Sequence, residues 1–252
     1  MASILGLFRA DLLKTRRTPF LLLHLLAPLI AATVFLAYYA YSPWSATDKV
    51  QAYLQVLGCA LPTLIALVCS MSAEQEALAG HFQGLLALPA QRIKVYASKL
   101  LLLLIYGLGA ILLAVLLFGI GFREVLGQDG LGMAFYWSGA GILFGSSTFL
   151  YLLHSFVSLR FGRGPSIGTG IVGSLIAALL LTGLGERLWV YVPFAWGARL
   201  ISIWTVHAAG TPLPLTVSQA NTGITVCILA TLTAAVLSCL WFRRWEGRSA
   251  DA

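Results

Sequence analysis

The sequence predicts an all-α membrane protein with six transmembrane helices, and three observations carry that prediction. The first is composition. Over 252 residues the chain is 59% hydrophobic and only 10% charged, with a mean hydropathy of +0.89. Soluble domains are nearer 45–50% apolar and about 25% charged, so this chain lacks the charges to cover a water-facing surface. The second is the length of the uncharged runs: Thr18–Thr47, Val50–Ala73, Leu100–Phe122, Gly130–Leu159, Gly164–Gly185 and Leu200–Phe242. A helix needs about 20 apolar residues to cross the hydrocarbon core. The third is the one-sided placement of basic residues between these runs.

Each run yields one span, near 19–41, 50–72, 99–121, 133–157, 165–184 and 220–242. The last run is too long for one helix. Its first part, HAAGTPLPLTVSQANTG, is rich in Gly, Pro and polar residues and is expected to be a loop. Residues 186–217 thus form an external loop or a re-entrant element, and 243–252 a tail. With the N-terminus inside, the inner segments hold twelve Lys and Arg, among them Arg9, Lys14, Arg92, Lys99, Arg163 and Arg243. The outer segments hold four: Lys49, Arg123, Arg187 and Arg199. This asymmetry puts both termini in the cytoplasm of a multipass protein of the cell membrane. It also accounts for the net charge of +7 without nucleic acid. The first apolar run is too long for the core of a cleavable signal peptide and reads as a retained span.

Aromatic residues mark the span ends. Tyr38, Tyr39, Tyr41 and Trp44 collect at one end of the first span, Tyr136 and Trp137 at the start of the fourth, and Trp241 and Trp245 at the end of the sixth. Such rings favour the headgroup layer and read as anchors. Residues 1–18 form an amphipathic helix lying in the inner interface. Leu5, Phe8 and Leu12 share one face, and Lys14 and Arg17 another. A merely basic juxtamembrane tail is the alternative.

The spans carry little chemistry. No Asp, Glu, Lys or Arg lies inside any predicted helix core, where a charge costs about 3 kcal/mol or more and is kept only for function. That weighs against an ion-coupled transporter. His24 and His154 lie roughly 9 Å inside the predicted boundaries, at 1.5 Å per residue. They read as interhelical hydrogen-bonding groups, with a proton relay as the alternative. Cys59, Cys69, Cys227 and Cys239 sit in apolar runs without metal-ligand spacing. The match Gly168-Thr-Gly170-Ile-Val-Gly173 falls inside a predicted span, which argues against a dinucleotide site. Gly164 with Gly168, and Gly141 with Gly145, read instead as helix-packing faces. The sequence contains no Walker A loop, HExxH or Gly-x-Ser-x-Gly motif. No catalytic role or resident cofactor is expected, and any ATP used, with its Mg, binds another chain.

One polar interlude breaks the pattern, EQEALAGHFQGLLALPAQR at 74–92. At 100° per residue, Leu78, Phe82, Leu85 and Leu86 fall on one stripe, and Pro89 ends the pattern. It reads as a short amphipathic helix on the cytoplasmic side. Two glycines weaken it, so it needs something to dock against. That support is either lipid and its own domain, or a groove in a cytoplasmic partner.

Three blocks of sequence are distinctive: FRADLLKTRRTPFLLLHLLAPL, the EQEALAGHFQ segment, and RIKVYASKL. The turn FVSLRFGRGPSIG and the segment YVPFAWGARL add to them. In these the chain resembles the permease subunits of type-2 ABC exporters, most closely those of lantibiotic immunity. The resemblance implies the type-2 permease fold, with a coupling helix over 74–86 seated on an ABC ATPase. Glu74, Glu76, His81, Phe82, Gln83 and Leu86 are the expected contacts. It further implies two ATPase copies, a second related permease, and a lantibiotic-like peptide expelled from the bacterial membrane for self-protection. Trp189, Pro193, Trp196 and Trp204 are the candidates for an exit path, with interface anchoring as their alternative role. Other functional readings are an exporter of a different cargo, such as a lipid or another antibiotic, and a non-transporting immunity or scaffold protein.

Overall fold

The computed structural model describes residues 4–15, 18–87, 92–128, 131–210 and 214–248. Nine α-helices and three short 3-10 turns account for most of them, with no strand among the described residues. In chain order the helices are α1 Ile4–Thr15, α2 Phe20–Tyr39, α3 Ala46–Leu78, α4 Gln83–Leu86 and α5 Arg92–Glu124. They continue with α6 Gly132–Phe161, α7 Arg163–Leu179, α8 Trp196–Ala208 and α9 Pro214–Arg244.

Five of these, α2, α3, α5, α6 and α9, are long and apolar enough to cross a membrane. The fifth expected span corresponds to α7, which has 17 residues and is about 26 Å long. The expected spans are shifted at several ends. α3 and α5 each run 33 residues, about 50 Å, well beyond a hydrocarbon core of about 30 Å. Hydropathy marks only their apolar middles. Their polar ends stay helical because neighbouring helices satisfy them.

α3 is the central post, with α6, α7 and α8 packed around it, while α2 lies chiefly on α5. Ser45 caps α3, its hydroxyl accepting from Asp48 N at 3.2 Å. On one side of α3, Thr63 Oγ1 donates to Gly170 O at 3.1 Å and meets Ser174 Oγ at 2.7 Å. The glycines of α7 that face a neighbour are Gly170, against Ala66 and Pro62, and Gly173, against Phe194. Gly164 and Gly168, with Gly141 and Gly145 on α6, have open space where a side chain would stand. Among the described residues, nothing packs on these expected small-residue faces. On the other side of α3, Tyr53 stacks on Phe118 at 3.8 Å and donates to Ala114 O at 2.9 Å, joining α3 to α5.

Beyond α7 the chain doubles back into the bundle. Three 3-10 turns, Gly183–Gly185, Trp189–Tyr191 and Pro193–Ala195, lead down to Phe194, which packs on Gly173 of α7. α8 then climbs back along α3. A Cβ on Gly58 would lie 2.7 Å from Ala198 Cα, and Gln55 donates to Ser202 Oγ at 2.9 Å. Along α6, Gly139 meets Ile201 and Phe135 stacks over Trp204. Gly58 lies twelve residues into α3, so the segment reaches roughly 18 Å along that helix. Arg199 ties the dip to α7 by donating to Leu180 O and Thr182 O, two carbonyls that the end of α7 leaves over.

α9 begins at Pro214, so part of the expected loop, Ser218 to Gly223, is helical. Threonines near its start bond within the helix: Thr222 donates to Ser218 O at 3.1 Å and Thr225 to Asn221 O at 2.9 Å. Several presumed anchors are core residues. Tyr39, Tyr136 and Trp245 are buried, whereas Trp44 and Trp137 are exposed.

Candidate functional site

The polar interlude does not form one helix. α3 runs straight through Glu74 and Glu76 and ends at Leu78, and the chain then turns sharply. Gly80, His81 and Phe82 have φ of 133°, 49° and 66°. The turn is held by His81 N donating to Ala77 O at 2.8 Å and Phe82 N to Glu76 O at 3.1 Å. Only the four residues of α4 follow. The expected stripe of Leu78, Phe82, Leu85 and Leu86 is thereby split. Leu78 is 84% exposed, while Phe82 is 2% exposed and Leu85 is buried. Two consecutive non-glycine residues in left-handed conformation cost on the order of 1–3 kcal/mol each and persist only where the surroundings fix them.

Those surroundings come from distant parts of the sequence. Phe82 packs edge-on against Trp245 at 5.1 Å, and Arg248 lies over the Phe82 ring at 5.7 Å. Leu85, Val95, Tyr96, Leu159 and Phe242 complete this cluster. Arg92, at the start of α5, donates to Arg243 O at 3.3 Å and Trp245 O at 3.0 Å, holding the end of α9 and the tail in place.

Glu76 is the centre of a second, polar assembly. Its carboxylate is 3% exposed, and Oε1 accepts from both Lys14 Nζ and Lys99 Nζ at 2.8 Å. Lys14 also lies 3.8 Å from Asp11, whose Oδ2 accepts from Ser98 Oγ at 3.1 Å. Thr15 and Tyr106 hydroxyls meet at 3.0 Å. A buried lone carboxylate would be strongly disfavoured, and the two ammonium groups compensate it. This explains why α3 stays helical past its apolar stretch. It also sets the pose of α1, which turns Asp11 and Thr15 toward the bundle and leaves Leu5 and Leu13 exposed. Arg17 lies outside the described residues.

Of the six expected contacts, then, Glu76 and Phe82 are committed to partners within the chain, and Leu86 is half-buried. His81 and Gln83 are exposed. Glu74 forms an exposed pair with Arg163 at 3.2 Å. Leu78 was placed on the apolar stripe and not among the contacts, yet it is the most exposed large apolar residue here. Pro89 lies outside the described residues. Sequence reasoning missed the roles of Asp11, Lys14, Lys99, Trp245 and Arg248. The available signal was that acids and bases assigned to one side in so uncharged a chain have few partners but each other.

The exit-path candidates separate in the same way. Trp189 and Trp196 are fully buried: Trp189 packs on Gly223, and Trp196 Nε1 donates to Val190 O at 2.8 Å. Pro193 opens a 3-10 turn and is half-buried. Trp204 lines a groove between α6, α8 and α9. Of the histidines, His154 Nδ1 lies 3.3 Å from Ser166 Oγ across the α6–α7 hairpin, whereas His24 Nδ1 meets Phe20 O of its own helix.

Five helices long and apolar enough to cross a membrane define the class that the fold supports, a multipass membrane protein. The family model described as ABC-2 family transporter protein matches residues 7–177, and the chain belongs to that family. No curated protein matches it. Membership makes the chain the membrane component of an ABC transporter, a part that is typically not catalytic itself, and implies an ATPase partner. The match runs from within α1 through most of α7, including Asp11, Lys14, Glu76, Phe82 and Lys99.

Proposed function

We propose that this chain is the permease subunit of an ATP-driven exporter that expels a lantibiotic-like antimicrobial peptide from the bacterial membrane for self-protection. The chain spans the membrane six times, α7 being the short fifth span, and both termini are cytoplasmic. Basic residues gathered at the α1 end support that orientation. Two copies of a cytoplasmic ABC ATPase hold ATP and Mg and grip the 78–83 turn. A second, related permease completes the pore. ATPase closure pushes the turn, and α3 carries the motion to the re-entrant segment packed on it.

The observation that carries this reading is the turn at Gly80-His81-Phe82. It projects Leu78, His81 and Gln83 while Phe82 and Glu76 root it in the chain. The surface offered to the ATPase is thus Leu78, His81, Gln83 and the Glu74 edge, and the rooting residues transmit force. The peptide cargo rests on the resemblance of the three distinctive blocks to lantibiotic-immunity permeases.

The test is co-purification from cells expressing the whole transporter. Leu78→Asp with Gln83→Arg should abolish ATPase association while leaving membrane insertion intact. Wild-type amounts of bound ATPase in that variant would refute the coupling role. Cell-associated cationic peptide should fall only when ATP hydrolysis is possible. Protection by this chain without an ATPase would indicate a sequestering protein instead, and efflux of lipid without peptide a different cargo.

A further inference from the structure

Residues 245–248, which follow α9, have no regular structure, yet they are built into the fold. Trp245 is buried, and its ring meets Phe82 of the 78–83 turn at 5.1 Å and Trp241 and Phe242 of α9 at 5.5 Å each. Gly247, with φ 103°, turns the chain against Leu86, whose Cδ1 lies 3.4 Å from where a Cβ would stand. Arg248 then sets its guanidinium between two elements. It lies over the Phe82 ring at 5.7 Å and against Gly162, at the corner of α6 and α7. Arg92 fixes the root of the segment by donating to Trp245 O at 3.0 Å.

Phe82 keeps a left-handed backbone, with φ 66°, which a non-glycine residue holds only where its surroundings fix it. Trp245 and Arg248, two of the groups that fix its ring, belong to the continuation of α9. The pose of the exposed residues Leu78, His81 and Gln83 therefore depends on α9 as well as on α3. At its other end α9 touches the re-entrant segment. Trp189 packs on Gly223, where a Cβ would collide with the indole, and shares a cluster with Cys227. Gly223 lies about 28 Å along α9 from Phe242. α3 meets the same segment at a different place, Gly58 against Ala198.

From these contacts we infer that residues 245–248 strap the 78–83 turn to α9 and make α9 a second carrier of the ATPase stroke, delivered to the re-entrant segment at Trp189. Trp245 and Arg248 are positioning residues. The inference rests on the coupling reading above and adds to it a route that bypasses α3. A displacement of the turn presses the Phe82 ring on Trp245, and α9 passes the motion along its length. Packed side chains and rigid helices carry coupling between distant sites in this way.

The test is hydrogen exchange on the whole transporter in lipid vesicles, first without nucleotide and then with ATP and orthovanadate. Without nucleotide, exchange over 77–87 should speed up about threefold in Arg248→Ala, which loses a cation–π contact, and about tenfold in Trp245→Ala. The melting temperature should hold in Arg248→Ala. With ATP, the change in exchange over 186–192 should shrink at least fivefold in both variants, while the change over 196–202, beside α3, persists. Trp245→Phe and Arg248→Lys should keep both responses near wild type, a rescue that lost bulk stability would not give. Wild-type exchange over 77–87 in both alanine variants would overturn the strap. A wild-type ATP response over 186–192 would overturn the second route, as would a response lost equally over 186–192 and 196–202. Leu78→Asp with Gln83→Arg separates these failures from that of the coupling reading. If that double variant binds ATPase normally, the coupling reading itself is wrong and the role of α9 falls with it.

Discussion

Glu76 and Lys99 form a 2.8 Å ion pair at the foot of α3 and α5, with side chains 3% and 11% exposed. Lys14 of α1 shares the same carboxylate oxygen but is about half exposed. Three helices thus meet at one atom, one turn away from the residues that face outward. The asymmetry between the two lysines makes the arrangement testable.

Removing the shared acid strands a buried ammonium. Glu76→Ala should destabilise the fold by about 3 kcal/mol, because one partner of a buried pair is left unmatched. Lys14→Ala should cost less than about 1 kcal/mol, since its half-exposed charge is screened by water. Thermal unfolding in detergent checks both. A double-mutant cycle of Glu76→Gln with Lys99→Met should show coupling above 0.5 kcal/mol, on the order seen for contacting residues. Equal effects of Glu76→Ala and Lys14→Ala would contradict the burial difference.

The turn stores strain that glycine relieves. His81 is exposed with φ 49°, so His81→Gly should stabilise the turn by about 1 kcal/mol. Phe82→Ala has the opposite sign, losing about 3–4 kcal/mol as the cluster around Trp245 is emptied. Hydrogen exchange over 77–87 reads both: slower in the first variant, faster in the second.

Glycines at the centre and at the edge of the bundle should behave oppositely. A Cβ at Gly58 meets backbone atoms of Ala198 that cannot move aside, so Gly58→Ala should cost about 1–3 kcal/mol and loosen α8 from α3. Gly168 meets nothing among the described residues, and Gly168→Ala should gain up to about 1 kcal/mol from helix propensity. A loss at Gly168 measured only in the assembled transporter would locate the second permease on that face of α7.

The Glu74–Arg163 pair is a surface contact, with both side chains around half exposed. Arg163→Ala should change stability by no more than about 1 kcal/mol, and the difference should shrink in high salt. If ATPase binding falls in this variant while the melting temperature holds, the Glu74 edge belongs to the partner surface.

The residues that misled the sequence reading share a cause. Glu76 and Phe82 are a charge and an aromatic in a polar stretch, and the family resemblance put both among the expected partner contacts. Their true partners, Lys99, Lys14 and Trp245, are 23 to 163 positions away in the chain. Leu78 failed in the opposite direction, because it belongs to an apolar stripe only if the helix continues past Gly80. The short α7 is a similar case. Its apolar run continues to Gly185, yet hydropathy alone does not say where the backbone leaves the helix.

By itself the sequence determined what depends on composition and local length: a helical, membrane-embedded chain, most of its long helices, and the basic bias of one end. Transfer of apolar side chains and satisfaction of backbone hydrogen bonds act residue by residue, so they leave a local imprint. The tertiary structure alone decided which side chains at 74–86 face inward. It also decided that 183–208 folds back into the bundle, and which glycines touch a neighbour. Those outcomes depend on pairings between groups far apart in the chain, where a buried charge or ring takes whichever partner the packing of whole helices brings within reach.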